Sequence, residues 1–332
     1  MTRRRGGRGG RAPRSRPARE GVDPERDPQS LERERQILES GLPGRVVAHH
    51  GVAVLVRFES GEERQIWLVT GQSAVVGDRV RVEADRLAVE PSRGVLKRRD
   101  ARGRERTIAA NLDHLGIVVA PTPREPPGYI DRGFVIARAA GIEPFVVLNK
   151  IDLDEGGVLA AKLQEIYAAS APVLPMSAER GEGVEAIAEL LAGGRVGALV
   201  GPSGVGKSSL LNALVPDLAL RTSALNRGSG KGRHTTTTAT LHPLAGGGWL
   251  VDTAGFKDFI AVDVEPLDAA RFFPGFEEAV RAGCRFRDCL HRSEPGCSVT
   301  AALERGEIDG RRHRAFVQLI EELESPSADG RS

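Results

Sequence analysis

Cysteine is scarce in this chain, three residues among 332. An odd and small number argues against a disulfide scaffold. No apolar run approaches the roughly 18–20 residues that a membrane span needs, so no integral membrane segment is expected. The opening MTRRRGGRGGRAPRSRPARE lacks the apolar stretch of a secretory signal, and a cytoplasmic address is the expectation. Lysine is the other rarity, six against 41 arginines. Each lysine therefore draws attention, and Lys150 and Lys207 both fall inside motifs.

Hydrophobic residues make up 40% of the chain and charged residues 28%, the balance of a globular protein with a real core. The length suits two or three domains. Charge is unevenly spread. Residues 1–20 hold eight Arg and one Glu, a formal +7 against +2 for the whole chain, so the other 312 residues carry −5.

Residues 1–40 are rich in Arg, Gly and Pro and then in charge, too polar to offset chain entropy. They read as a disordered basic arm with a short helix near 30–39, either a solubilising tail or a polyphosphate-binding segment. Residues 41–98 hold GRVVAHH, AVLVRFESG, ERQIWLVT, GDRVRVEA and RLAVEPS, five short strands that suit an oligonucleotide/oligosaccharide-binding (OB) barrel. Trp67 is read as core or as a stacking platform, and His49 and His50 are placed in a turn with no role. Over 99–262 the strands LGIVVAP, PFVVLNK, APVLPMS, GALVGPSG and GWLVDTAG alternate with helical patterns, which implies a mostly parallel sheet. Residues 263–325 read as a small helical domain around a cysteine cluster, and 326–332 as a disordered tail. The fold class is thus multidomain α/β.

Gly201-Pro202-Ser203-Gly204-Val205-Gly206-Lys207-Ser208 follows a strand and opens a helix, as a phosphate loop does. Its glycines let backbone N–H groups wrap phosphates, Lys207 reaches the β and γ oxygens, and the Ser208 hydroxyl ligates Mg²⁺, with Ser209 beside it. Asn149-Lys150-Ile151-Asp152 has the form of a guanine-selecting element: the Asp152 carboxylate accepts from two guanine donors that adenine lacks, and the Lys150 stem covers the base. Met176-Ser177-Ala178 resembles the short element that touches the guanine carbonyl. Asp252-Thr253-Ala254-Gly255 follows a strand where Mg²⁺ and the γ-phosphate are sensed, and the Thr-rich loop 230–238 can order around that phosphate.

The guanine element precedes the phosphate loop, the reverse of an ordinary GTPase, so the sequence is circularly permuted. Cys284, Cys289, His291 and Cys297 use every cysteine of the chain within 14 residues, a closed donor set for structural Zn²⁺. Arg285, Arg287 and Arg292 make this knuckle basic.

Together, IAANLDHLGIVVAP, GIEPFVVLNKIDL, GPSGVGKSSLLN, GRHTTT, DTAGF and CRFRDCLHRSEPGC closely resemble the RsgA/YjeQ family of circularly permuted GTPases. The resemblance runs from about residue 42 to 324 and departs at Ala254, where the family usually has Pro. It implies GTP hydrolysis stimulated by the small (30S) ribosomal subunit, contact with 16S rRNA, action late in subunit maturation, and a monomer. Phe256 replaces the Gln that orients water in many GTPases. The resemblance points instead to His234 as the catalytic residue beside Lys207, and to Thr236 as the Mg²⁺ ligand beside Ser208. Two rivals stand next to this reading: an ATP-using phosphate-loop enzyme, which Asp152 opposes, and an RNA-binding adaptor that uses GTP as a structural or switch ligand, which Phe256 leaves open.

Overall fold

A computed structural model describes residues 28–99, 104–215, 218, 239–252 and 264–325. Helix α1 (Pro28–Ser40) leads into β1 (Leu42–His49), β2 (Ala53–Phe58), β3 (Glu63–Trp67), β4 (Arg79–Glu83) and β5 (Arg86–Val89). These antiparallel strands lie in the order β3-β2-β1-β4-β5. Strand β5 returns beside β3 without a ladder between them among the described residues, so the barrel is partly open, as an OB fold is. Alternation puts Val46, Val54, Val56, Ile66, Val80, Val82 and Leu87 inside as the barrel's own core. Two expectations change here. The short helix expected near 30–39 runs over Pro28–Ser40, but it is not part of a free arm: Ile37 is buried as the helix docks on β4 and β5. Trp67 is not core: it points outward at the end of β3, 62% exposed.

A hairpin of β6 (Leu96–Arg99) and β7 (Glu105–Ala109) joins the barrel to the second domain. The boundary expected after residue 98 falls inside β6. There follow β8 (His114–Val119), α2 (Tyr129–Ala139), β9 (Glu143–Leu148), α3 (Val158–Tyr167), β10 (Val173–Pro175), α4 (Glu185–Leu190), β11 (Val196–Val200), α5 (Lys207–Leu214), β12 (Thr240–Pro243) and β13 (Trp249–Asp252). The sheet order is β10-β9-β8-β11-β13-β12, parallel except for β12. Alternating residues sort into two layers, as buried parallel strands require. Leu115, Ile117, Val146 and Leu148 pack toward α2 and α3, while Val118, Phe145, Val147 and Leu199 pack toward α4 and α5. Strand β12 was not expected from the sequence. It is four residues long and ends in Pro243, and it is held by β13 on one side and by a single β1 rung, Ala48 opposite Thr240, on the other.

The chain ends in four short packed helices, α6 (Pro266–Phe272), α7 (Glu277–Ala282), α8 (Ser298–Glu304) and α9 (Gly310–Glu324). Phe273, Phe276 and Phe316 form their centre, with ring centroids 4.7–5.2 Å apart. Among the described residues no helix is long and apolar enough to cross a membrane.

Candidate functional site

Strand order reverses between β8 and β11: the chain leaves β8 toward β9 and β10, then returns to β11 on β8's other side. The loops leaving the two strands' carboxyl ends diverge there, opening the crevice where α/β sheets bind ligands. The segment Gly201–Gly206 leaves β11 at this point and enters α5. Gly206 is the helix N-cap at φ +97°, with no side chain capping the first turn. The N–H groups of that turn are therefore available to an anion. A side chain at Gly206 is excluded, because a Cβ would run into Asn149 Nδ2. Lys207 Nζ donates to the carbonyls of Gly201 (2.6 Å) and Pro202 (2.9 Å), so its ammonium lies across the loop. Ser208 and Ser209 are exposed on the first helical turn, with Pro202, Ser203, Gly204 and Val205 in the loop before them.

The segment after β9 closes onto this loop. Asn149 is 1% exposed; its Nδ2 donates to Val205 O (2.9 Å) and its Oδ1 accepts from Ala178 N (3.0 Å). Both halves of the amide are spent on backbone, fastening the phosphate loop to the turn after β10. Lys150 takes a left-handed conformation at φ 62°, and its Nζ donates to Thr122 O (3.0 Å) and Gly204 O (2.6 Å). Its stem thus spans the crevice from the β8 loop to the phosphate loop. Ile151 N donates to Met176 O (3.2 Å) and sets the turn that carries Asp152.

Ser177 has a part that sequence reasoning missed. It is fully buried, and its hydroxyl donates to Asp152 Oδ1 (2.6 Å) while accepting from Arg180 N (3.3 Å). The Ser177 hydrogen bond holds the Asp152 carboxyl below its ordinary range. It keeps Asp152 an ionised acceptor. No local pattern marks this contact, because the two residues lie 25 positions apart and meet only after β9 and β10 pair.

Asp252 ends β13 one residue beyond the rung Ala198–Val251 that pairs β13 with β11, which sets it level with Leu199, two residues before Gly201. Burial pushes its carboxyl above the usual range. Gly255, Phe256, His234, Thr236 and the rest of the Thr-rich loop lie outside the described residues.

A second site lies in the loop between α7 and α8. Cys284, Cys289, His291 and Cys297 place their donor atoms within 4.8 Å of one another. His291 Nδ1 stands 3.4 Å from Cys284 Sγ, 3.7 Å from Cys289 Sγ and 3.4 Å from Cys297 Sγ, and Cys284 and Cys297 are 3.9 Å apart. A tetrahedron with metal–sulfur bonds of about 2.3 Å and metal–nitrogen bonds of about 2.0 Å has edges of roughly 3.5–3.8 Å. The cluster fits that shape and can hold a metal ion. Backbone N–H groups of Ser298 and Thr300 reach Cys284 and Cys297 Sγ, and His313 Nε2 donates to His291 O at 2.8 Å, the outer support such ligands need. Burial pushes the Cys289 thiol up to about 12 and holds His291 below its ordinary value.

Comparison with known proteins agrees with this geometry. A sequence profile of the RsgA GTPase family matches residues 89–261. The small ribosomal subunit biogenesis GTPase RsgA of Gemmatimonas aurantiaca is 43% identical over 75% of this chain and 84% of its own length. The protein of the same name from Azotobacter vinelandii is 39% identical over 85% of this chain and 86% of its own. YjeQ from Thermotoga maritima superposes with a TM-score of 0.68 at 32% identity, covering 86% of this chain and 99% of that structure. YloQ, described as a circularly permuted GTPase, has the same fold, with a TM-score of 0.64 at 24% identity over 86% and 95% of the two chains.

Proposed function

Because the chain belongs to the RsgA family of GTPases, and is therefore a GTP hydrolase, we propose that it works in biogenesis of the small ribosomal subunit. In this reading it binds the 30S particle and its 16S rRNA from the cytoplasm as a monomer and hydrolyses GTP late in maturation, slowly alone and faster on the subunit. The observation that carries it is the convergence of Asn149–Asp152, Ser177 and Gly201–Ser209 on one sheet edge, in a chain whose relatives are named for that task.

Residues 41–98 act as the barrel module, 99–262 as the permuted GTPase, and 263–325 as the zinc-stapled helical domain. Phosphates are wrapped by the 201–206 backbone, with Lys207 turned onto the β and γ oxygens. Guanine is read by Asp152, pre-aligned by Ser177, under the Lys150 stem and beside Ala178. Ser208 and Thr236 hold Mg²⁺, which supplies charge neutralisation to the phosphates when bound. Asp252 suits the same neighbourhood, since burial raises its pKa and a nearby cation favours its ionised form. With Phe256 unable to bond water, His234 orients the attacking water. Zn²⁺ closes the Cys284, Cys289, His291 and Cys297 cluster, which leaves no open position and so is structural.

The test is GTP turnover with and without purified small subunits. The expected result is slow release of phosphate alone and a clear rise with subunits, and no rise overturns the reading. Asp152→Asn sharpens it. The amide pairs with the extra carbonyl of xanthine and mismatches one guanine donor, so preference moves from GTP to xanthosine triphosphate in a competition assay.

A further inference from the structure

The helical domain buries three phenylalanines in its centre, at 1% exposure or less for Phe273, Phe276 and Phe316. Phe286 stands apart at 45% exposed. It lies at the tip of the loop between the metal-site residues Cys284 and Cys289, and Arg285, Arg287 and Asp288 around it are exposed too. Burial therefore does not account for a large apolar ring at this position. Nor is the loop slack. Its two ends are drawn to His291 Nδ1 at 3.4 and 3.7 Å, and Arg285 N donates to Gly296 O at 3.0 Å.

Several cations of this domain are held by carboxylates. Arg292 pairs with Glu324, Arg305 with Glu307 and Arg271 with Asp268. Among the described residues neither Arg285 nor Arg287 has a carboxylate partner. Arg285 instead lies over the Phe286 ring, Cζ 5.4 Å from its centroid. Glu294, the acid nearest in sequence beyond Asp288, is committed to the N–H groups of Leu290, Arg292 and Ser293. An exposed ring with a guanidinium on one face and a second free guanidinium beside it is the pairing that holds unpaired bases: the ring stacks and the arginines take the flanking phosphates. A protein partner would favour a wider apolar surface or acids opposite the arginines, and the loop offers one ring only.

We propose that Arg285-Phe286-Arg287 is a single-stranded RNA site, with Phe286 stacking on an unpaired base and the arginines contacting the phosphates on each side. This rests on the ribosomal reading above and assigns part of the contact to one loop. The metal-stapled backbone pre-orders the ring, so little conformational freedom is lost on binding.

The test uses full-length, metal-loaded protein with a short fluorescein-labelled single-stranded RNA and the same strand annealed to its complement. Phe286→Ala should lower affinity for the single strand by roughly 5- to 150-fold, the range of one lost base stack, while leaving duplex affinity and metal content unchanged. Phe286→Trp should restore affinity, with its fluorescence quenched by the single strand. Arg285→Ala and Arg287→Ala should each flatten the salt dependence of binding. Equal single-strand affinity in wild type and Phe286→Ala, or equal losses on single strand and duplex, overturns the proposal. So does a Phe286→Ala protein that loses subunit binding but keeps its RNA affinity, which would make the loop a protein contact. Subunit-stimulated turnover of the wild type separates these results from failure of the ribosomal reading itself.

Discussion

The two flanking domains are fastened to the nucleotide domain by different chemistry. The barrel is joined strand to strand, largely through backbone. Strand β1 meets β12 at Ala48 and Thr240, and Ala110 N donates to Val76 O at 2.9 Å. Asn111, buried at φ 57°, bonds Gly77 O (3.1 Å) through Nδ2 and Arg93 N (3.3 Å) through Oδ1. The helical domain is joined helix to helix through side chains. Val135 of α2 lies within that domain's apolar core. Arg138 bonds Phe272 O, Ser170 O and Glu277, Arg132 pairs with Glu322, and Arg312 reaches Ile166 O at 3.2 Å and Asp131 at 3.6 Å. A side-chain joint can be dissolved by truncation. A backbone joint yields only where a residue type secures an unusual conformation. The two also touch different parts of the site: the barrel grips β12 and β13, the strand pair that ends in Asp252, whereas the helical domain sits on α2 and α3.

The largest effect should come from Cys289→Ser. On the zinc reading it removes a ligand of a metal that supplies on the order of 10 kcal/mol to a small domain. Helices α6–α9 should become protease-sensitive and lose the metal, while the barrel and sheet keep their protection. One equivalent of zinc retained at wild-type affinity would contradict the ligand set.

Arg312→Ala should cost about 3 kcal/mol near neutral pH, since it strips the cation from a carboxylate that is nine-tenths buried. Burial already raises the Asp131 pKa above its ordinary 3.8, and Arg312 pulls it back, so the variant raises it further. A carboxyl raised in the folded state costs nothing below its unfolded pKa and costs more as pH climbs through the folded value. Denaturation measured from acid to neutral pH should therefore show a deficit that grows with pH. A deficit independent of pH would rule out the ion pair as its source.

On the barrel side, Gly77→Ala should cost about 2 kcal/mol, because Gly77 sits at φ +90° and a Cβ would strike Ala110 O. Hydrogen exchange at Val76, Gly77 and residues 110–112 should speed up, with the α2–α9 contact unaffected. Faster exchange across both joints would show that the two are not independent.

The smallest effect concerns Trp249, whose ring takes Arg45 at 5.7 Å and Arg57 at 5.6 Å from the barrel. Trp249→Leu should cost about 1 kcal/mol. As Trp249 begins the strand that ends in Asp252, the change should alter the ratio of GTP-analogue to GDP affinity, which Arg312→Ala leaves untouched. An unchanged ratio would confine the barrel joint to a scaffolding role.

Local chemistry was legible in the sequence. The phosphate loop, the Asn149–Asp152 element and the four metal-site residues depend on spacing within a few residues, while alternating hydrophobicity marked the five barrel strands and short continuous apolar runs marked the parallel strands. What escaped was set by distant partners. Strand β12 exists because β13 and β1 offer it edges, while its four residues carry little pattern of their own. The helix near 30–39 was legible, but its docking was not, because Ile37 finds its surface on the distant strands β4 and β5. Trp67 is the exception, since local alternation along β3 already gives the interior to Ile66 and turns Trp67 to solvent. Asn149 joins two loops and Ser177 orients Asp152 only once the sheet has set β10, β9, β8 and β11 in that order. Sequence by itself determined which groups carry the chemistry, because donor sets and phosphate cradles are built from near neighbours. Tertiary structure alone decided which of those groups hold one another in place, because a hydrogen bond between loops 25–56 residues apart forms only after the sheet has chosen its strand order.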